Sequence, residues 1–179
     1  MKGVVLISLL FLMDCAFSIP ELQPRPNVPV VTQGKPALSL RIAGEVRDTF
    51  EVQGKNGIMG SQVLNWHTSL KNGFRAGFRD IFQVDQPGGY TIELTRVEPE
   101  VVTAADSAQV GVVAVRVQIT YRAALIDANG QVVKVAAETV SSKSAITMRP
   151  DVPAGYASAI ESMFEDMGQK LFSTSHAQR

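Results

Sequence analysis

The chain has 179 residues, 45% hydrophobic and 19% charged, and its 17 basic and 17 acidic side chains cancel at neutral pH. That balance argues against a nucleic-acid partner, whose recognition rests on basic surface. One cysteine, Cys15, excludes an internal disulfide, and the length suits a single domain held by packing.

Met1 and Lys2 precede an uncharged apolar run from Gly3 to Met13, and small residues follow, which is the three-part pattern of a secretory signal peptide over residues 1–18. A spanning helix needs about 20 apolar residues. Asp14 stops this run short of that, and every later hydrophobic stretch is broken by charge. Ala16-Phe17-Ser18 offers small residues for cleavage before Ile19, which would discard Cys15. The other route is lipoprotein processing, with Cys15 as first mature residue and carrier of acyl chains. Leu12 suits that motif, whereas Asp14 stands where Gly, Ala or Ser is wanted. The local residues favour cleavage, yet both routes stay open, and both export the protein.

Residues 19–36, with five prolines, predict an extended, semi-rigid segment with no core of its own, either disordered or a tether. The domain proper is expected over residues 37–172. Leu38, Leu40, Ile42 and Val46 share one face of a first strand. Ser61 is the expected N-cap of a helix whose Val63, Trp66, Leu70, Phe74, Gly77, Phe78 and Ile81 fall on one arc. On its flank Lys71, Arg75 and Arg79 make a basic ridge, which suits a solvated face or a contact with anionic lipid or phosphate. His67, at the edge of the apolar arc, reads as a packed histidine, since no partner stands at metal-binding spacing. Gly73 and Gly77 predict close approach of a neighbouring backbone.

After the turn "QPGGY", Ile92 and Leu94 alternate with Glu93 and Thr95. In the next strand Val113, Val115, Val117, Ile119, Tyr121, Ala123 and Leu125 oppose Arg116, Gln118, Thr120 and Arg122, the pattern of a half-buried antiparallel strand. "DANG" then predicts a three-residue loop with Asp127 opposite Gln131, Gly130 left-handed, Leu125 opposite Val133 and Tyr121 opposite Ala137. That register would put Val133 and Val135 on the buried face. After "MRPDVPAGY" a second helix carries Tyr156, Ile160, Met163, Phe164, Met167 and Leu171 on one face, with the methionines as core filler. Residues 173–179 are expected to be a disordered tail.

The expected fold is α+β: a four-stranded, largely antiparallel sheet with two helices packed on one face, in the order β-α-β-β-β-α. This order, with the run "VLNWHTSLKNGFRAGF…YTIELTRVEPEV…VAVRVQITYRAALIDANGQVV…SAIESMFEDMGQKL", resembles the small bacterial outer-membrane lipoproteins of the YajG, LptE and transport-auxiliary (PqiC) kind. The resemblance covers nearly all of the mature chain. It implies a non-enzymatic protein of the periplasm or outer membrane, acting as assembly partner or accessory subunit of outer-membrane or transport machinery, with lipopolysaccharide or anionic lipid as a further contact. Partners would then meet strand edges, the exposed sheet face and loop tips. Arg116, Arg122 and Lys134, expected on that face, join Lys71, Arg75 and Arg79 as candidate contacts, with solubility as the competing role. The first strand is a candidate edge for pairing.

An enzyme is not expected, because His67 and His176 are the only histidines and no nucleophile elbow, phosphate-cradling loop or paired-carboxylate motif stands out. No cofactor or metal is called for. The alternative function is a carrier of a small apolar or lipid ligand, held in a pocket around Trp66, Phe74, Phe78 and Tyr121.

Overall fold

The computed structural model describes residues 17–53, 60–104 and 114–173. Cys15, Val113 and the last six residues, on which some of the expectations above fall, lie outside the described residues. Strands β1 (Phe17–Ile19), β2 (Ala37–Ile42), β3 (Phe50–Val52) and β4 (Ser61–Val63) precede helix α1 (Trp66–Phe78). Strands β5 (Gln83–Val84), β6 (Tyr90–Thr103), β7 (Val115–Ile126) and β8 (Val132–Ser141) follow, and a 3₁₀ turn at Arg149–Asp151 enters helix α2 (Val152–Phe172).

The fold is α+β with two helices, but its sheet is not four-stranded and antiparallel. Five strands form a mixed sheet in the order β5-β2-β6-β7-β8, and β1-β4-β3 form a small second sheet. The difference has a topological cause. Helix α1 is a crossover between β2 and β6, so those strands run parallel, whereas the tight turn after β7 makes β7 and β8 antiparallel. β5 pairs with Ala37 and Leu38, covering part of the edge that β2 was expected to leave open.

α1 begins at Trp66, not near Ser61, which belongs to β4. Asn65 turns left-handed (φ 52°), and Asp48 receives the free amides: its backbone oxygen accepts from Trp66 N–H at 3.0 Å and its carboxylate from His67 N–H at 2.7 Å. From there the apolar arc is realised, with Trp66, Leu70, Phe74 and Phe78 buried. On α2, Tyr156, Ile160, Met163, Phe164, Met167 and Leu171 are all buried against the sheet and α1. The even spacing along β7 also holds: Val115, Val117, Ile119, Tyr121, Ala123 and Leu125 are buried and face the helices.

The β7–β8 loop closes as the turn chemistry requires, with Asp127 N–H donating to Gln131 O, Gly130 N–H to Asp127 O, and Gly130 at φ 82°. The register beyond it differs from expectation. Ile126 pairs with Val132 but Leu125 with Lys134, so Val133 is an extra, bulged residue, and Tyr121 lies opposite Glu138 rather than Ala137. One inserted residue reverses parity. Val133 and Val135 therefore stand 48% and 55% exposed on the open sheet face, and Ala136 takes the buried position.

The proline-rich segment departs most from the reading as a free tether. It is extended, yet from Leu22 its residues alternate strictly, with Leu22, Pro24, Pro26 and Val28 buried and Gln23, Arg25, Asn27 and Pro29 exposed. It lies as a strap along the seam of the two helices. A Cβ placed on Gly73 would come within 3.0 Å of Pro24, Ile160 and Phe164; one on Gly77 would meet Pro26 at 2.7 Å, and one on Gly168 would meet Val28 at 2.3 Å. The neighbouring backbone expected at Gly73 and Gly77 is not what meets them: side chains do, the ring of Pro24 with Ile160 and Phe164 at Gly73, and the ring of Pro26 with Val28 at Gly77. The strap's amides are satisfied in turn: Arg25 N–H donates to Glu161 and Asn27 N–H to Glu165, each at 2.9 Å, and Leu22 N–H donates to the buried Ser69 hydroxyl at 3.0 Å.

Candidate functional site

The six cationic candidates do not form one surface. Lys71, Arg75 and Arg79 sit one turn apart on the exposed side of α1, since 3.6 residues per turn puts every fourth residue on one face. Arg75 is engaged with Asp85 at 2.7 Å, and Arg79 stands 3.8 Å from Asp80. Arg25 of the strap joins Arg75 and Arg79 around a shallow depression, also lined by Gln23, Pro24, Asn72 and Ala76. Sequence reasoning missed Arg25 because the strap was taken as separate from the domain. The signal that could have found it is the alternation of apolar and polar residues from Leu22 onward.

Arg116 and Arg122 lie on the open sheet face, as their parity requires. Arg116 donates to the backbone oxygens of Ser142 and Lys143 at 3.1 and 3.2 Å, holding the chain that leaves β8. Arg122 lies opposite Ala137 on one side and Arg96 on the other. The same face carries the pairs Arg41–Glu93 and Arg96–Glu98, at 2.8 and 2.6 Å, so its charges are interspersed. Lys134 is not on this face. The bulge turns it toward α2, where its ammonium donates to the backbone oxygens of Lys170 and Ser173 at the helix C-terminus.

The four aromatic candidates are core, and they do not meet around a common space. Trp66 is wholly buried between edge-on contacts with Phe50 and Tyr156, with ring centroids 6.0 and 6.5 Å apart. Phe74 and Phe78 continue into a cluster with Phe82, Phe164 and Phe172. Tyr121 is buried elsewhere, beneath α2. Its hydroxyl donates to Asp166, and burial followed by that hydrogen bond pushes its pKa far above the ordinary tyrosine value.

From Asp166 a polar chain runs outward to Lys170 at 3.0 Å and on to Glu138 at 2.9 Å, joining β7, α2 and β8. Burial lowers the Lys170 pKa, but its bonds to Glu138 and Asp166 outweigh that and raise it overall; the bond to Lys170 holds the Glu138 carboxyl below its usual range. These shifts keep Tyr121 neutral, Lys170 protonated and Glu138 ionised at neutral pH. The chain fastens β7, α2 and β8 together. His67 is likewise structural: its Nε2 lies 2.7 Å from Val46 O, tying α1 to the β2–β3 connection. Among the described residues, no group of three or more His, Cys, Asp or Glu side chains could hold a metal ion, and no helix is long and apolar enough to cross a membrane.

No protein-family model matches the chain, and no curated protein sequence does. Solved structures do match. A Xanthomonas campestris protein assigned to the family DUF330 superposes with a TM-score of 0.50 at 15% identity, over 86% of this chain and 92% of that one. The fold is shared. An Acinetobacter baumannii protein described as a minor lipoprotein aligns at 11% identity and a TM-score of 0.46, over 78% of this chain and 92% of that one.

Proposed function

We propose that this chain is a lipid-anchored, non-enzymatic protein of the bacterial cell envelope, carried on acylated Cys15 and acting as an accessory or assembly subunit. The observation that carries the anchored reading is the position of Ile19. That residue is 0% exposed, closes β1 against β4 in register with Val63, and accepts the Leu64 N–H at 3.0 Å. Cleavage after Ser18 would place a new ammonium on this buried residue and remove the Phe17–Ser61 and Ser18–Gln62 pairings. An unpaired charge held there would cost on the order of several kcal/mol. Processing at Cys15 leaves β1 whole.

The consequence for mechanism is a short leash. With the proline-rich segment packed as a strap, one residue separates Cys15 from β1, so the anchor sits within about 7 Å of chain from the folded domain. The domain is then held against the bilayer by its β1–β4 end and presents the sheet face and loops to a partner. The three interaction surfaces suit that use: a basic ridge on α1 extended by Arg25, an open sheet face of mixed charge, and a sheet edge at β8.

Intact mass of the mature protein from membranes tests the reading. The expected result is a chain beginning at Cys15 with added acyl mass; a chain beginning at Ile19 without lipid overturns it. The accessory role is checked separately, by recovery of a defined envelope complex with the lipidated protein in mild detergent.

A further inference from the structure

The chain as a whole is electrically neutral, yet its charges are not evenly mixed. Helix α1 carries Lys71 and Arg75, with Arg79 at its C-cap, and holds no acidic residue. The carboxylates of the neighbouring helix are engaged elsewhere: Glu161 and Glu165 with the strap amides and Lys143, and Asp166 with Tyr121 and Lys170. The exposed side of α1 therefore keeps an excess of positive charge, whereas the open sheet face intersperses both signs.

The strap turns this ridge into a site. Arg25 holds to α2 through its backbone, by the bond to Glu161, while its side chain lines the depression between strap and α1 together with those of Arg75 and Arg79. The depression measures about 490 Å³, inside the range of roughly 300–1,000 Å³ that small ligands occupy. Of the three guanidinium groups around it, only that of Arg75 is neutralised at contact distance, by Asp85 at 2.7 Å. Arg79 stands 3.8 Å from Asp80 in an exposed pair, whose attraction is weak. Among the described residues neither Arg25 nor Lys71 has an acidic partner. Planar guanidinium forks match the oxygens of a phosphate, so an open depression ringed by them suits an anionic headgroup.

We infer that this depression seats the phosphate of an anionic lipid, with strap and α1 lying along the bilayer that carries the Cys15 anchor, an inference that rests on the anchored envelope reading. The distances agree. Arg25 is six residues beyond Ile19, about 20 Å of extended chain, so a bilayer that holds the anchor beside β1 is within reach of the ridge. Since α1 covers the inner side of the sheet, the open sheet face with Arg122 is then turned away from the lipid and toward a protein partner. An acyl chain and a basic patch are two signals that together give stable membrane association. Because Arg25 arrives on the strap, the site is complete only while the strap is seated.

The test is vesicle flotation with the full mature chain carrying Cys15→Ser, so that no acyl chain supplies the binding. Vesicles containing phosphatidylglycerol are expected to carry the protein, and vesicles of phosphatidylcholine alone to leave it behind. Arg25→Ala and Arg79→Ala should each weaken partitioning about fivefold, the effect of one cation near an anionic surface. Arg25→Lys keeps the charge but loses the fork, and should stay weaker than the wild type. Arg122→Ala removes the same charge from the opposite face and should change nothing. All three side chains are exposed, and thermal melts matching the wild type show that each variant keeps its fold. No binding by the Cys15→Ser chain, a loss as large for Arg122→Ala as for Arg25→Ala, or full binding by Arg25→Lys would each overturn the inference. Saturable binding of inorganic phosphate by the same arginines, without binding to vesicles, would overturn it too, by making the ligand a soluble phosphate. None of these results changes the mass of the mature chain, so the anchored reading stands or falls separately.

Discussion

Gly168 shows how one missing methyl group lets a segment dock. In an exposed helix an alanine there would stabilise by about 1 kcal/mol through propensity alone. Here its Cβ would lie 2.3 Å from Val28 Cγ1, and overpacking of that kind costs about 1–3 kcal/mol. The clash wins, so Gly168→Ala should lower Tm by a few degrees in a thermal melt; a rise would mean the strap is not seated there in solution. Tyr121 carries a pH signature. Its folded pKa is raised by burial and by Asp166, so it adds stability that is complete below the ordinary tyrosine value of about 10 and is lost as pH rises above it. Denaturant titrations between pH 8 and 11 should show falling stability for the wild type and a shallower fall for Tyr121→Phe. The slope that persists belongs to Tyr156 and Lys170, both also shifted upward.

The strap is the element that joins distant parts of the chain. Glu161 and Glu165, one turn apart on α2, accept from alternate amides of the extended segment, because a rise of 6 Å over four helical residues nearly matches the two-residue repeat of an extended chain. Glu161→Gln/Glu165→Gln should weaken these charge-assisted bonds and cost about 1–2 kcal/mol, since both bonds lie at an exposed surface. Hydrogen exchange provides the direct check, with protection falling at Arg25 and Asn27 while the amides of β7 keep theirs. The hairpin between β7 and β8 shows how far local signals reach. Asp127, Gly130 and the three-residue loop were legible from turn chemistry alone. The bulge at Val133 was not, because the apolar pattern "VVKVAA" fits either parity, and only packing under α2 selects Ala136 as the buried residue. The same slip carried Lys134 from the expected open face to the C-terminus of α2.

For the whole molecule, treating residues 19–36 as part of the domain changes the outcome of a truncation. Removing a tether leaves a domain's stability intact. Removing this segment deletes Ile19, Leu22 and Val28 from the core and uncovers the glycine seam. At roughly 1.5–3 kcal/mol for each buried aliphatic side chain, the loss rivals the 5–15 kcal/mol that holds a typical domain together. A chain beginning at Ala37 should therefore be unfolded or aggregated by circular dichroism and gel filtration, and a cooperative melt near that of the full chain would refute the structural role of the strap.

The two helices, the long strands β2, β6, β7 and β8, the buried faces of α1, β7 and α2, and the closing loop of the last hairpin follow from the amino-acid sequence read locally. Each depends on residues a few positions apart, through periodicity, turn preference and helix geometry. The parallel β2–β6 pairing, the extra strands, the seating of the strap and the Tyr121–Asp166–Lys170–Glu138 chain could be decided only by the folded molecule. They join residues far apart in sequence, up to 138 positions for Asn27 and Glu165, where the competing arrangements satisfy the local pattern equally well and long-range packing chooses between them. Two of the four candidate aromatics, Phe74 and Phe78, were drawn together as core, and the six cations were dispersed, for that same reason.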